Sequence, residues 1–318
     1  MKRLFIVASL AIMAVGCQKT TVQNEVLTPI GFDTELVKQT RADDLPAYEG
    51  EDFGVFSYAF QNGDQLGTDP VMPNEKVTQS GSKWVPSKTY YWPNDPETTL
   101  DFYAYAPYRP DIEHSLTEGE GFTFDYTHEN QEYDFMLATP VKGANYASTS
   151  GTVDVVFNHE MTQVQFNVAV NGDFDDVTFK LEYIELVKIP NKATYTSGAS
   201  TKWDVDYTAT TTYELYNESE PVVIGEDGIQ TNPVTMIPQD LANGQQFKVK
   251  YHISGEGVAT EPVTRTIDIK GDVVTNWTAN KKVVYNLTIG LQTIDFAPYV
   301  NDWDEEVDEQ DHDITPEA

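Results

Sequence analysis

The chain has 318 residues, 40% of them apolar and 12% aromatic, with 51 acidic against 20 basic side chains and a formal net charge of −31. That apolar content is ample for packed cores and excludes disorder over most of the length. The charge, with no basic stripe to offset it, excludes nucleic acid as a partner.

In chain order, the first element is a leader. Lys2 and Arg3 precede an apolar run from Leu4 to Val15, too short to span a membrane, which ends in Ala14-Val15-Gly16-Cys17. Small residues there suit a signal peptidase, so the chain is expected to be exported. Cys17 is the only cysteine, which points to a thiol reserved for lipid attachment rather than for a disulfide, a metal or catalysis. The alternative is an ordinary secretory signal that happens to contain a cysteine, since Ala14 stands where a bacterial lipobox usually has Leu. No later run reaches the roughly 18 apolar residues of a membrane helix. Gln18 to Glu25 then forms a short polar tether.

Period-two alternation dominates the chain beyond the tether, in Phe56–Phe60, Leu100–Ala106, Phe122–Tyr126 and Val153–Phe157, and again in Thr162–Val170, Val177–Tyr183, Phe247–Ile253 and Val283–Ile289. Turn chemistry separates these runs, as at Asn62-Gly63, Asn171-Gly172 and Asn243-Gly244. Many short strands with turns at this spacing predict an all-β chain of two tandem antiparallel β-sandwich domains, Greek-key or transthyretin-like. The expected division is a leader at 1–17, an N-terminal segment with the tether at 18–41, and sandwiches at 42–151 and 152–303. The polar stretch Lys142–Gly151 marks the boundary, and an acidic tail occupies 304–318.

Chemical motifs are sparse. The five histidines lack ligand spacing and there is no second cysteine, so neither a metal site nor a cofactor is expected. No nucleophile elbow, phosphate loop or dinucleotide fingerprint occurs, and no enzymatic activity is expected. Asp173, Asp175 and Asp176, and Glu226 with Asp227, carry oxygen ligands of the kind calcium takes, but solvated turns explain them better. A carboxylate pair at glycosidase separation stays open, because sequence cannot measure that distance. Tyr90, Tyr91, Trp92, Tyr103 and Tyr105 offer a surface platform for stacking on sugar rings. Ordinary core and cross-strand packing is the competing account of these rings.

Five phrases in order resemble the fimbrillin family of Bacteroidales surface proteins, the Mfa-like subunits of type V pili. They are Phe53-Gly54-Val55-Phe56-Ser57-Tyr58 after Thr40-Arg41-Ala42; Tyr90-Tyr91-Trp92-Pro93 followed by Leu100 to Pro107; Phe157 to Val164; Trp277 to Ile289; and Val300 to Trp303. The resemblance implies a lipoprotein of the outer membrane and fimbrium that acts in adhesion and assembles with other pilus subunits by strand complementation. It further implies cleavage by an arginine-specific protease between Arg41 and Ala42, releasing an N-terminal strand drawn from Val26–Phe32 or Glu35–Lys38. The groove left behind would accept an extended segment of the next subunit. The acidic Asp304–Asp313 is a poor donor strand; Thr293–Val300 alternates better, with Pro298 interrupting it. The adhesion ligand on a host or bacterial surface is not identified by the sequence.

Overall fold

The computed structural model describes residues 27–36, 50, 52–110, 112, 114–117, 121–129, 133–172, 176–197, 202–255, 261–291 and 294–303. The first half contains β1 (Gly31–Leu36), β2 (Phe53–Gln61), β3 (Asp64–Gln65), β4 (Met72–Ser80), β5 (Lys83–Pro86) and β6 (Thr98–Ala106). It continues with β7 (His114–Thr117), β8 (Gly121–Thr127), β9 (Met136–Ala138), β10 (Val141–Ala144), α1 (Tyr146–Thr149) and β11 (Thr152–His159). The class is all-β, as the alternation predicts.

The first sheet closes on itself. Its pairings run β6, β9, β11, β1, β5, β4, β2, and β2 pairs back to β6, leaving β3 and β10 as appendages. A closed circuit has no free edge to pair with a stranger. The sequence pattern predicts two layers here; closure arises because β2 is long enough to pair β4 on one side and β6 on the other from Gly54 to Gln61. Gly54 is required at that crossing, since a Cβ there would stand 2.4 Å from Cε1 of Tyr105. Thr152–His159, which the sequence places at the start of the second unit, pairs with β1 and β9 in this sheet. The polar stretch before it forms β10 and α1.

Alternation splits each strand between two cores. From β6, Leu100, Phe102, Ala104 and Ala106 fill the inside of the circuit with Phe32, Phe53, Val55, Trp84 and Phe157. Tyr103 and Tyr105 point outward with Phe56 and Tyr58 into a second core.

The second half runs β12 (Thr162–Val170), β13 (Val177–Pro190), β14 (Lys192–Thr196), β15 (Trp203–Val205), β16 (Thr210–Val223), β17 (Ile229–Gln230) and β18 (Val234–Met236). After β19 (Gln239–Asp240) come β20 (Gln246–Gly255), β21 (Val263–Asp268), β22 (Asn276–Trp277), β23 (Lys281–Ile289) and β24 (Ile294–Asp302). Hairpins from both halves build one sheet in the order β15, β14, β8, β7, and its Phe122, Phe124, Tyr126, Tyr195 and Trp203 cover the outward aromatics of β2 and β6. Two more sheets, β17-β12-β23-β24 and β16-β13-β20-β21, share a third core around Phe166, Phe247, Trp277 and Tyr285.

The last strand, β24, is an edge strand paired with β23 over its whole length. The sequence pattern has Pro298 interrupting this segment. The structure runs through it, because proline's missing N–H is tolerated where one side of the strand has no partner among the described residues.

A candidate assembly groove under the first strand

The first strand of the circuit is the structural feature with the clearest functional consequence. Ile30, Phe32 and Thr34 alternate inward along β1 and are buried, whereas Asp33 and Glu35 face solvent. β1 pairs in parallel with β11 from Gly31 opposite Thr152 to Leu36 opposite Phe157. Its other side meets β5 only at Phe32 opposite Trp84. The strand is therefore held by one full ladder and by its side chains.

Phe32 does most of that holding. Its ring stands edge-to-face against Phe53 and Phe102, with centroids 5.9 Å away in each case. Phe53 in turn packs on Trp84 at 5.2 Å and Phe157 at 5.4 Å, so the Phe32–Phe53 pair connects β1 to four other strands. Full burial of such a side chain contributes about 1.5–3 kcal/mol. Thr34 is less well matched, because its buried Oγ1 has no hydrogen-bond partner.

The entry to β1 is stitched down by the Tyr90–Trp92 segment. Ile30 N donates to the Tyr90 carbonyl at 2.9 Å, Trp92 N donates to the Thr28 carbonyl at 3.0 Å, and Pro29 bridges to Tyr91. A buried carboxylate fixes this clamp: Glu75 accepts from Ser87 Oγ at 2.6 Å, Lys88 N at 2.9 Å and Tyr90 Oη at 2.9 Å. Burial, and then Glu75, push the Tyr90 hydroxyl up to about 12, so it stays a donor at neutral pH. Trp92 is buried over Phe102 at 5.8 Å and donates from Nε1 to the Gly151 carbonyl at 3.2 Å.

If β1 left, the circuit would open between β11 and β5. A hydrophobic slot lined by Phe53, Phe102, Trp84 and Phe157 would lie between two unpaired edges, and such a slot accepts an extended chain with an apolar residue at alternate positions.

Over residues 40–303 the chain matches the fimbrillin-like family. The chain belongs to the fimbrillin-like family. This fimbrillin-like chain is similar in structure to a fimbrial protein from Bacteroides vulgatus, at 22% identity and TM-score 0.60, covering 87% of this chain and 99% of that one. It is also similar to a candidate cell adhesion protein from Bacteroides uniformis, at 20% identity and TM-score 0.53 over 87% and 99% of the two chains. A candidate cell adhesion protein from Bacteroides ovatus matches at 16% identity and TM-score 0.53, over 88% and 99%. No curated protein sequence matches the chain. At these identities the likeness is one of fold.

The residues singled out from sequence are scattered. Cys17, Arg41 and Ala42 lie outside the described residues, as do Asp173 and Asp175. The five aromatic candidates do not share a surface. Trp92, Tyr103 and Tyr105 are buried, Trp92 in the first core and the two tyrosines in the second, while Tyr90 is bound to Glu75 and Tyr91 is 45% exposed. The two segments put forward for the first strand, Val26–Phe32 and Glu35–Lys38, overlap the ends of β1, which spans Gly31–Leu36. Phe32 itself is legible as an inward position only from the short alternation of Ile30, Phe32 and Thr34.

Proposed function

We propose that this fimbrillin-like chain is a structural or accessory subunit of a cell-surface fimbria, joined to its neighbours by strand complementation in the groove under β1. In this reading the chain is exported and lipidated at Cys17, held at the outer membrane, and then cut between Arg41 and Ala42. The cut falls after β1, so β1 would remain by non-covalent contacts alone, its ladder to β11, its bonds to the Tyr90–Trp92 segment and the burial of Ile30 and Phe32, and a partner strand with similar alternation could replace it. The observation that carries this reading is the position of β1: it precedes Arg41 in the chain and is a core strand of the folded subunit. The function is adhesive and non-catalytic.

Size-exclusion chromatography with light scattering tests it. Recombinant residues 42–318 should form oligomers, or remain monomeric only when a peptide covering residues 27–41 is added, while residues 18–318 should stay monomeric. Strand complementation is abandoned if both forms stay monomeric with donor subunits present.

A further inference from the structure

Beside the start of β1 lies a cleft of about 410 Å3, within the size range of small-molecule sites, lined by Thr28, Trp92, Pro93, Asn94, Asp95, Pro96, Asn145, Tyr146 and Ala147. We propose that it binds a neutral sugar ring, a terminal hexose or N-acetylhexosamine of a surface glycan.

The walls have the chemistry of that ligand. Tyr146 is 51% exposed and lines the cleft together with the buried Trp92. Its ring lies close to Gly151, where a Cβ would sit 3.3 Å from Cε2. With Pro93 and Pro96 it gives the cleft an aromatic and apolar wall, the kind of surface on which the C–H face of a pyranose packs.

Two of the polar side chains, Asp95 and Asn145, are fixed before any ligand arrives. Asp95 accepts Gln61 Nε2 at 2.7 Å and Thr98 Oγ1 at 3.3 Å on Oδ2, and Glu97 N at 3.0 Å on Oδ1. Each oxygen keeps accepting capacity for a ligand hydroxyl. Asn145 accepts Ser148 N at 2.9 Å through Oδ1, and its own N donates to Ser148 Oγ at 3.0 Å, so the side chain is locked while the cap leaves Nδ2 unused. Asn94 adds a second amide. Amides beside a carboxylate provide donors and acceptors side by side, which is what vicinal hydroxyls require, and their rigidity lowers the entropy cost of binding.

Charge narrows the class. Among the described residues no lysine, arginine or histidine lines the cleft and Asp95 does, so phosphate, sulfate, sialic acid and uronic acids are disfavoured. Thr28 lies in the segment that a cut at Arg41 would release, so the complete cleft belongs to the uncut chain. It differs from the aromatic platform considered from sequence, of which only Trp92 lines the cleft.

A glycan array carrying neutral and acidic terminal sugars, probed with the folded 18–318 chain, tests the proposal. Isothermal titration with the methyl glycoside of the best-bound terminal sugar would follow. Binding to neutral termini is expected, weakened at least about tenfold by Tyr146→Ala and by Asn94→Ala, both exposed positions, with thermal melts unchanged. Tyr91→Ala, also exposed but outside the cleft, should bind as the parent does. The proposal is overturned by silence across the neutral glycans, by a preference for acidic ones, or by full binding in Tyr146→Ala. It is equally overturned if a polyproline decapeptide, and no sugar, binds in a manner that depends on Tyr146.

Discussion

Replacing Phe32 with alanine should separate the role of β1 in folding from its role in assembly. The ring is fully buried and makes two edge-to-face contacts, so the deletion removes both its transfer free energy and the packing around a new cavity. For Phe→Ala at such a site the loss is about 3–5 kcal/mol. In the uncut chain that loss appears as a lower denaturation midpoint at unchanged denaturant slope. In the cut subunit β1 is a separate ligand, and the same free energy becomes a drop of about two to nearly four orders of magnitude in the affinity of a 27–41 peptide for the 42–318 body. Urea titration of the first form and fluorescence polarisation of a labelled peptide on the second read the two effects. Asp33→Ala, on the solvent face of the same strand, should change either quantity by less than about 0.5 kcal/mol. A Phe32→Ala loss below about 1 kcal/mol in urea, with peptide affinity unchanged, would refute the claim that β1 is a core strand.

Three further outcomes are expected of the same structure. Thr34→Val removes a buried hydroxyl that has no partner and should tighten the hold on β1 by about 1 kcal/mol, read by the same peptide titration. Lys202→Met strips the 2.7 Å partner from the buried Glu160 carboxylate and should cost about 1–3 kcal/mol at pH 7, the partly exposed lysine limiting the effect. Burial already raises the Glu160 pKa, so the folded state binds its proton more readily. The deficit of Lys202→Met should therefore shrink as pH falls toward the ordinary glutamate range from above, which urea titrations at several pH values would show. His128 is buried, contacts the Thr235 carbonyl from Nε2 at 2.6 Å, and has its pKa pushed down to about 4 by burial. The unfolded chain thus takes up a proton between pH 6.5 and 4 that the folded one refuses. That group's contribution is present above pH 6.5, and about 3 kcal/mol of it is lost by pH 4, a slope that His128→Gln should lack in acid titrations followed by circular dichroism.

Much of the fold is legible in the sequence because strand faces are a local property. Leu100–Ala106 alternates in sequence, and the structure sends Leu100, Phe102, Ala104 and Ala106 to one core and Tyr103 and Tyr105 to another. Asn62-Gly63 reads as a tight turn, and both residues take positive φ between β2 and β3. Pairing is not legible, because it depends on contacts between residues far apart. Nothing local indicates that β1 lies parallel to β11, or β12 to β23, or that hairpins at 114–127 and 192–205 share a sheet. The stretch Lys142–Gly151 reads as a linker by its small polar residues. Those same residues supply the Asn145–Ser148 capping box of α1 and the positive-φ Gly151 beside Tyr146. The sugar cleft is invisible in the sequence for the same reason, since its walls come from residue 28, residues 92–96 and residues 145–147.

The central claim is that β1 is a core strand which the assembled subunit gives up. N-terminal sequencing of the protein recovered from cell-surface fimbriae tests it most directly. The account predicts a start at Ala42, with Cys17, its lipid and β1 removed together; a start at lipidated Cys17 in assembled fimbriae, with β1 retained, would contradict it.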